Sequence, residues 1–200
     1  MTNLLLIIGS ATVAVFIVIL IIEGALRPDY SPWYHTGSEL TLGERGWVQV
    51  VNFVQMGVGM LAFALGVYRA LDDAIGAVLL AVFGLGLIVS GVFRPDPLRG
   101  YPPNTGGEVT WRGQVHNASG PLMFVGLFVA CLVLAGSFDN AWQIYTVITA
   151  FVGLGLTAWT AFSFLKDAAF TGLVQRALFL VYWAWIILTG IHLATSPPPS

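Results

Sequence analysis

Six long apolar runs, at about residues 4–24, 48–68, 74–93, 115–135, 142–165 and 173–194, leave this chain few ways to fold. Each is close to the roughly 20 residues that a helix needs to cross a hydrocarbon core. Only 9% of the residues are Asp, Glu, Lys or Arg, where a soluble domain is about one-quarter charged. In water such a chain would expose large apolar patches, so a bilayer is the better solvent. The sequence therefore predicts an all-α polytopic membrane protein, one six-helix domain over residues 1–200. No Lys or Arg precedes the first run, which continues to Ile22. That favours a retained helix over a cleaved signal sequence. The net charge of −2 comes with no basic patch, which argues against nucleic acid as a partner. The single cysteine, Cys131, sits in an apolar run and reads as a small buried hydrophobe.

The connections alternate in a telling way. Residues 25–47 and 94–114 are long; 69–73, 136–141 and 166–172 are short. Both long ones and the last short one fall on one side, with Arg27, Arg45, Arg94, Arg99, Arg112 and Lys166, against Arg69 on the other. The positive-inside rule then predicts a cell-membrane protein with cytoplasmic long connections and both termini outside. Arginines used in internal ion pairs would weaken that signal.

The chain also repeats itself. Leu26-Arg27-Pro28-Asp29 closes the first run and Phe93-Arg94-Pro95-Asp96 closes the third. Gln49-Val50-Val51-Asn52 opens the second and Gln114-Val115-His116-Asn117 opens the fourth. A weaker third copy is Phe164-Leu165-Lys166-Asp167 with Gly172-Leu173-Val174-Gln175. The expectation is three parallel hairpins, about residues 4–68, 74–135 and 142–194, a repeat style found in transporters among other proteins. Proline would stop each helix. Arg27 and Arg94 would then take the orphaned helical carbonyls, and Asp29 and Asp96 would hold those arginines. The paired amides Gln49/Asn52 and Gln114/Asn117 read either as glue between helices or as the wall of a polar pocket. Glycine pairs such as Gly84/Gly86 and Gly153/Gly155 read as helix-packing faces.

The long connections carry Tyr30, Trp33, Tyr34, His35, Glu39, Tyr101 and Trp111, a composition for packed lids and not linkers. Arg99 and Tyr101 fall outside the repeated phrase, so the repeat alone does not require them. His35, Glu39, Glu108 and His116 have the atom types for a divalent metal, but no ligand spacing such as HExxH, and no cofactor is expected. Arg176, one turn into the last run with Gln175 beside it, needs a carboxylate partner or an anionic ligand such as a lipid phosphate. Glu23 sits four residues before Arg27, at pairing distance on a helix. The interiors of the second to fifth runs contain no carboxylate, which argues against an ion-coupled pump.

The phrases RPDYSPWYHTGSELTLGERGWVQVVNF, GLIVSGVFRPDPLRGYPP and GLVQRALF resemble the DUF998 family of six-span membrane proteins over nearly the whole chain. That family is in turn distantly similar to the FRAG1/DRAM/Sfk1 group, some of whose members are linked to lipid organisation or lipid remodelling. The resemblance implies the six-span fold and assigns no reaction. The leading functional expectation is recognition of a membrane lipid or other amphiphile in a polar-rimmed pocket between hairpins. A membrane-embedded enzyme, metal-assisted or not, a small transporter and a structural or partner-binding protein are the alternatives.

Overall fold

The computed structural model describes residues 1–195; positions 196–200 of the expected domain lie outside the described residues. The apolar runs form six helices: α1 (Thr2–Leu26), α2 (Gly46–Leu71), α3 (Ala74–Val92), α4 (Trp111–Ala135), α5 (Asn140–Leu165) and α6 (Thr171–Thr195). All six are long and apolar enough to cross a membrane. A 3-10 turn, Glu39–Thr41, interrupts the first long connection, and no strand occurs among the described residues. Helix ends match the sequence expectation to about one turn. Side-chain oxygens on Asp73, Thr110 and Asp139 accept from the amides of Gly76, Gly113 and Trp142, capping α3, α4 and α5. Proline follows the end of both α1 and α3.

Each helix packs on its chain neighbours and α6 returns to α1, closing a ring of three side-by-side hairpins. The periodicity behind this is clear in α1. Leu6, Gly9, Val13, Phe16, Leu20 and Glu23 recur every three or four residues and are buried, while Ile7, Val15, Val18 and Ile22 on the other face are exposed. Aromatic rings fill the interior. Phe16 meets Phe53 and Trp183 at 5.3 and 4.8 Å between centroids, and Phe124 stacks on Phe179 and Tyr182 at 6.0 and 5.9 Å.

Small residues let the helices close up. A Cβ added at Gly57 would lie 2.6 Å from the Gly84 carbonyl oxygen, so α2 and α3 touch backbone to backbone. Gly86 is pressed by Met123 and Gly153 by Tyr182. Gly155 does not follow its expected role: it is exposed, with open space where a side chain would go.

The long connections meet over one end of the ring. The guanidinium of Arg27 donates to the Tyr101 hydroxyl (3.2 Å), Arg99 donates to the Tyr34 carbonyl (3.2 Å), and the Tyr34 hydroxyl donates to Asp167 (2.6 Å). The amides of Gly172 and Leu173 donate to the carbonyls of Tyr34 and Trp33, tying the first connection to the start of α6. Together they form a roof over the helix ends.

Candidate functional site: a polar roof above a lateral cleft

The two RPD phrases do opposite things. Arg27 ends α1 and is buried, but its side chain takes none of the helix's orphaned carbonyls. It pairs with Glu23 (3.1 Å) and donates to the carbonyls of Leu40 (3.0 Å) and Leu42 (2.9 Å) across the roof. Arg45 also pairs with Glu23. Asp29 is exposed, in left-handed backbone with φ 60°, and holds no arginine. In the second phrase Arg94 is exposed, while Asp96 is buried and accepts from the Thr110 amide (2.9 Å) and hydroxyl (2.7 Å). Glu23 lies four residues before Arg27; the residue four before Arg94 is Ser90, with no charge to offer. An unpaired guanidinium is costly to bury, so Arg94 stays out. Thr110 lies 67 residues after Gly43, which has no hydroxyl for Asp29.

The register of the repeat also differs from the QVVN/QVHN match. Arg27 to Arg94 is 67 residues, and so is Gly46 to Gly113. Both glycines open a helix at a point of close approach. A Cβ at Gly46 would lie 2.0 Å from the Thr41 carbonyl oxygen, and one at Gly113 would lie 2.0 Å from Asp96 Oδ2. Gly172 repeats this under the His35 carbonyl, at 2.3 Å. Counting three residues from each glycine gives Gln49, His116 and Gln175 as the corresponding positions. All three turn into the protein. Gln49 and Asn52 are fully buried, with the Asn52 amide donating to Gln49 (3.2 Å) and to the Phe16 carbonyl (3.1 Å). Gln114 and Asn117 are exposed, so the expected second buried amide pair does not exist.

The four metal-ligand candidates have other work. His35 Nδ1 accepts from the Ser31 amide (2.9 Å), and the ring is packed against Tyr30, Tyr34 and Tyr101. Glu39 accepts from the Thr36 amide (2.6 Å) and hydroxyl (2.9 Å). His116 Nδ1 lies 2.7 Å from the Phe93 carbonyl and 3.0 Å from that of Ser90. Carbonyls only accept, so that nitrogen carries a proton. Glu108 is exposed. Among the described residues no three His, Cys, Asp or Glu side chains gather as a metal set.

Arg176 has no carboxylate partner in its contacts. It donates to the carbonyls of Pro32 (2.7 Å), His35 (3.1 Å) and Gly172 (3.0 Å) and to the Tyr30 hydroxyl (2.7 Å). It is thus a staple between α6 and the roof. Burial pushes the Tyr30 hydroxyl up to about 12 against the opposing pull of Arg176, so it stays neutral and donates its own hydrogen bond to the Thr36 carbonyl (2.9 Å). The Tyr34 hydroxyl is also held above its usual range, chiefly by its bond to Asp167.

Beneath the roof a cleft of about 330 Å³ opens between α4, α5 and α6. Its polar end is formed by Thr36, Ser38, His116, Asn117 and Gln175, whose side-chain oxygen accepts from the Gly37 amide (2.7 Å). Its walls are mostly apolar, with Pro121, Phe124, Ala161, Phe164, Leu165 and Leu178 joined by Thr157 and Thr160, whose hydroxyls donate back to the helix carbonyls of Gly153 and Leu156. Pro121 has no amide, so the Asn117 carbonyl lacks its helical donor here. Gly120 adds room, with nothing within 4 Å of a Cβ built on it. A second space, of about 20 Å³, shares Thr36, Ser38, Asn117 and Phe164 with the cleft and adds Glu39, Asp96 and Arg99. Arg99 was outside the expected set of pocket residues. Its guanidinium lies over the Tyr34 ring at 4.1 Å and 3.5 Å from Asp167, yet Nε and Nη1 have no hydrogen-bond partner. The available signal was its position: an arginine in a tight Pro-rich turn that the repeat did not demand.

Of the fourteen polar residues singled out in the sequence as candidates for a polar pocket (27, 29, 35, 39, 49, 52, 94, 96, 108, 114, 116, 117, 175 and 176), the cleft and its side space gather Glu39, Asp96, His116, Asn117 and Gln175. Arg27, His35 and Arg176 hold the roof together, Gln49 and Asn52 join α1 to α2, and Asp29, Arg94, Glu108 and Gln114 are exposed.

Six membrane-length helices in a closed ring, roofed on one side and open laterally below, define a polytopic integral membrane protein. Residues 10–192 match DUF998, described as a protein of unknown function, and the chain belongs to that family. Comparisons with curated proteins and with solved structures returned no significant match.

Proposed function

We propose that the protein holds a membrane lipid or related amphiphile, its chain in the cleft between α4 and α5 and its polar end under the roof. The observation that carries this reading is the cleft itself: mostly apolar along its walls, polar at the roof end, and large enough for part of an acyl chain. Gly120→Trp tests it. A Cβ there meets nothing within 4 Å and the residue lines the cleft, so an indole at this position is expected to occupy the space an acyl chain would take. The expected result is a severalfold loss of co-purified lipid, measured by mass spectrometry, at an unchanged thermal midpoint. Lipid content equal to that of the unaltered protein would sink the reading.

We also propose that the protein lies in the cell membrane with its roof in the cytoplasm. The exposed cations Arg45, Arg94, Arg112 and Lys166 lie on the roof side, and Arg69 lies on the other. In intact cells, a membrane-impermeant maleimide is expected to label Asn140→Cys and to miss Asn104→Cys until the cells are opened. Both positions are exposed and the native Cys131 is buried, so background is low. The reverse pattern overturns the orientation.

A further inference from the structure

The polar end of the cleft is built without charge. Among the described residues no Asp, Glu, Lys or Arg lines it. The charges of the side space are engaged elsewhere: Glu39 with Thr36, Asp96 with Thr110, and Arg99 at 3.5 Å from Asp167. A phosphate or an ammonium seated in the cleft would lose water and meet no counter-charge, which is costly. Neutral donors and acceptors are present instead, with bonds to spare. Gln175 Oε1 accepts from the Gly37 amide (2.7 Å), which leaves Nε2 to donate. The exposed Asn117 side chain makes no hydrogen bond among the described residues, so its amide can donate and accept. A hydroxyl has one proton, and Thr36 gives its own to Glu39 (2.9 Å). In the 3.1 Å contact between Thr36 and Ser38 it is therefore Ser38 that donates, and the Ser38 oxygen keeps capacity to accept. The Asn117 carbonyl, deprived of its helical donor by Pro121, is a further acceptor.

Building on the amphiphile reading above, we propose that the cleft selects an uncharged lipid with a free hydroxyl beside an ester carbonyl, the chemistry of a diacylglycerol. An ester carbonyl only accepts, and it answers the Asn117 and Gln175 amides. The hydroxyl has one proton to give, and it answers the Ser38 oxygen or the Asn117 carbonyl. One acyl chain lies along the mostly apolar walls and the other stays in the bilayer. A phospholipid can still lend a chain to the cleft with its phosphate outside, in the headgroup layer, but it leaves the polar end without a ligand. Chain seating and headgroup selection are therefore separate claims.

The test uses the unaltered full chain in detergent, with retained lipid extracted after exchange and quantified by mass spectrometry. Lipids with identical acyl chains are offered in turn: diacylglycerol, the same molecule with its hydroxyl acetylated, phosphatidate and phosphatidylcholine. Diacylglycerol is expected to be retained about tenfold better than either phospholipid, and severalfold better than the acetylated form, as one or two net hydrogen bonds predict. Asn117→Leu removes an exposed amide at nearly constant volume. It is expected to lower diacylglycerol retention about fivefold, the worth of one hydrogen bond, at an unchanged thermal midpoint. Equal retention of all the lipids, lost in Gly120→Trp, overturns the headgroup assignment and leaves the lipid cleft standing. Preference for phosphatidate overturns it in favour of an anion site. An acetylated form held as well as diacylglycerol overturns the role of the hydroxyl, and diacylglycerol retention untouched by Asn117→Leu overturns the seating at the polar end. If no lipid is retained saturably, both readings fall. The headgroup series needs no variant, so a folding defect in Asn117→Leu does not spare the proposal.

Discussion

Arg27→Ala is expected to destabilise the protein by about 3–5 kcal/mol, and Arg94→Ala by less than about 0.5 kcal/mol. The two arginines occupy the same place in a repeated four-residue phrase, so sequence identity alone predicts equal effects. The structure separates them. Arg27 bonds Glu23, two roof carbonyls and the Tyr101 hydroxyl at once. Its loss leaves the buried Glu23 carboxylate with only the exposed Arg45 as a partner, and strips two carbonyls of their donor. Removing one partner of a buried pair costs more than the pair is worth, because the other charge stays behind. Arg94 is exposed and its loss leaves nothing buried unpaired. Thermal or chaotrope unfolding of the two variants in one detergent reads the difference. The double variant Glu23→Gln/Arg27→Met is expected to recover part of the loss. Equal destabilisation by the two single arginine variants would contradict the asymmetry of the repeat.

Gly57→Leu is expected to cost about 3 kcal/mol, the upper end of the usual overpacking range. A Cβ there already sits 2.6 Å from both the Gly84 carbonyl oxygen and Ile88 Cγ1. A backbone oxygen has no rotamer to change, so α2 and α3 must move apart along their most intimate contact. Gly155→Leu offers the control: it faces open space on an exposed part of α5, and replacing glycine in a helix with leucine is mildly favourable. A lowered unfolding midpoint for Gly57→Leu beside an unchanged or raised one for Gly155→Leu is the predicted pattern. Similar midpoints would mean that the α2–α3 contact is looser than described.

These two contrasts show what the sequence discloses and what it hides. Helix number and length were legible because about 20 apolar residues have one economical solution in a bilayer. The meeting of the long connections was legible from their shared side and from their aromatic and proline content. The faces of the helices were not, since α1 is apolar all round and only contact decides that Phe16 turns in and Val18 turns out. The repeat was visible, but its register was hidden. The matching Gln and Asn letters drew the alignment two residues away from the glycines, whose close backbone contacts set the geometry. Aligned on Gly46 and Gly113, Gln49 corresponds to His116, and the exposure of Gln114 and Asn117 follows. The fate of the two arginines rests on Glu23 against Ser90, a difference outside the repeated phrase. The cleft was the least legible feature, because it depends on how α4, which offers no side chain at Gly120, lies against α5.

The measurement that tests the central claim most directly is photocrosslinking with a phospholipid that carries a diazirine near the end of its acyl chain, followed by peptide mapping. A chain seated in the cleft is predicted to label residues 120–124 of α4 and 157–165 of α5 in strong excess over the lipid-facing surfaces of α1 and α3, and Gly120→Trp is predicted to remove that excess. Labelling spread evenly over the exposed faces of all six helices, unaffected by Gly120→Trp, would contradict it.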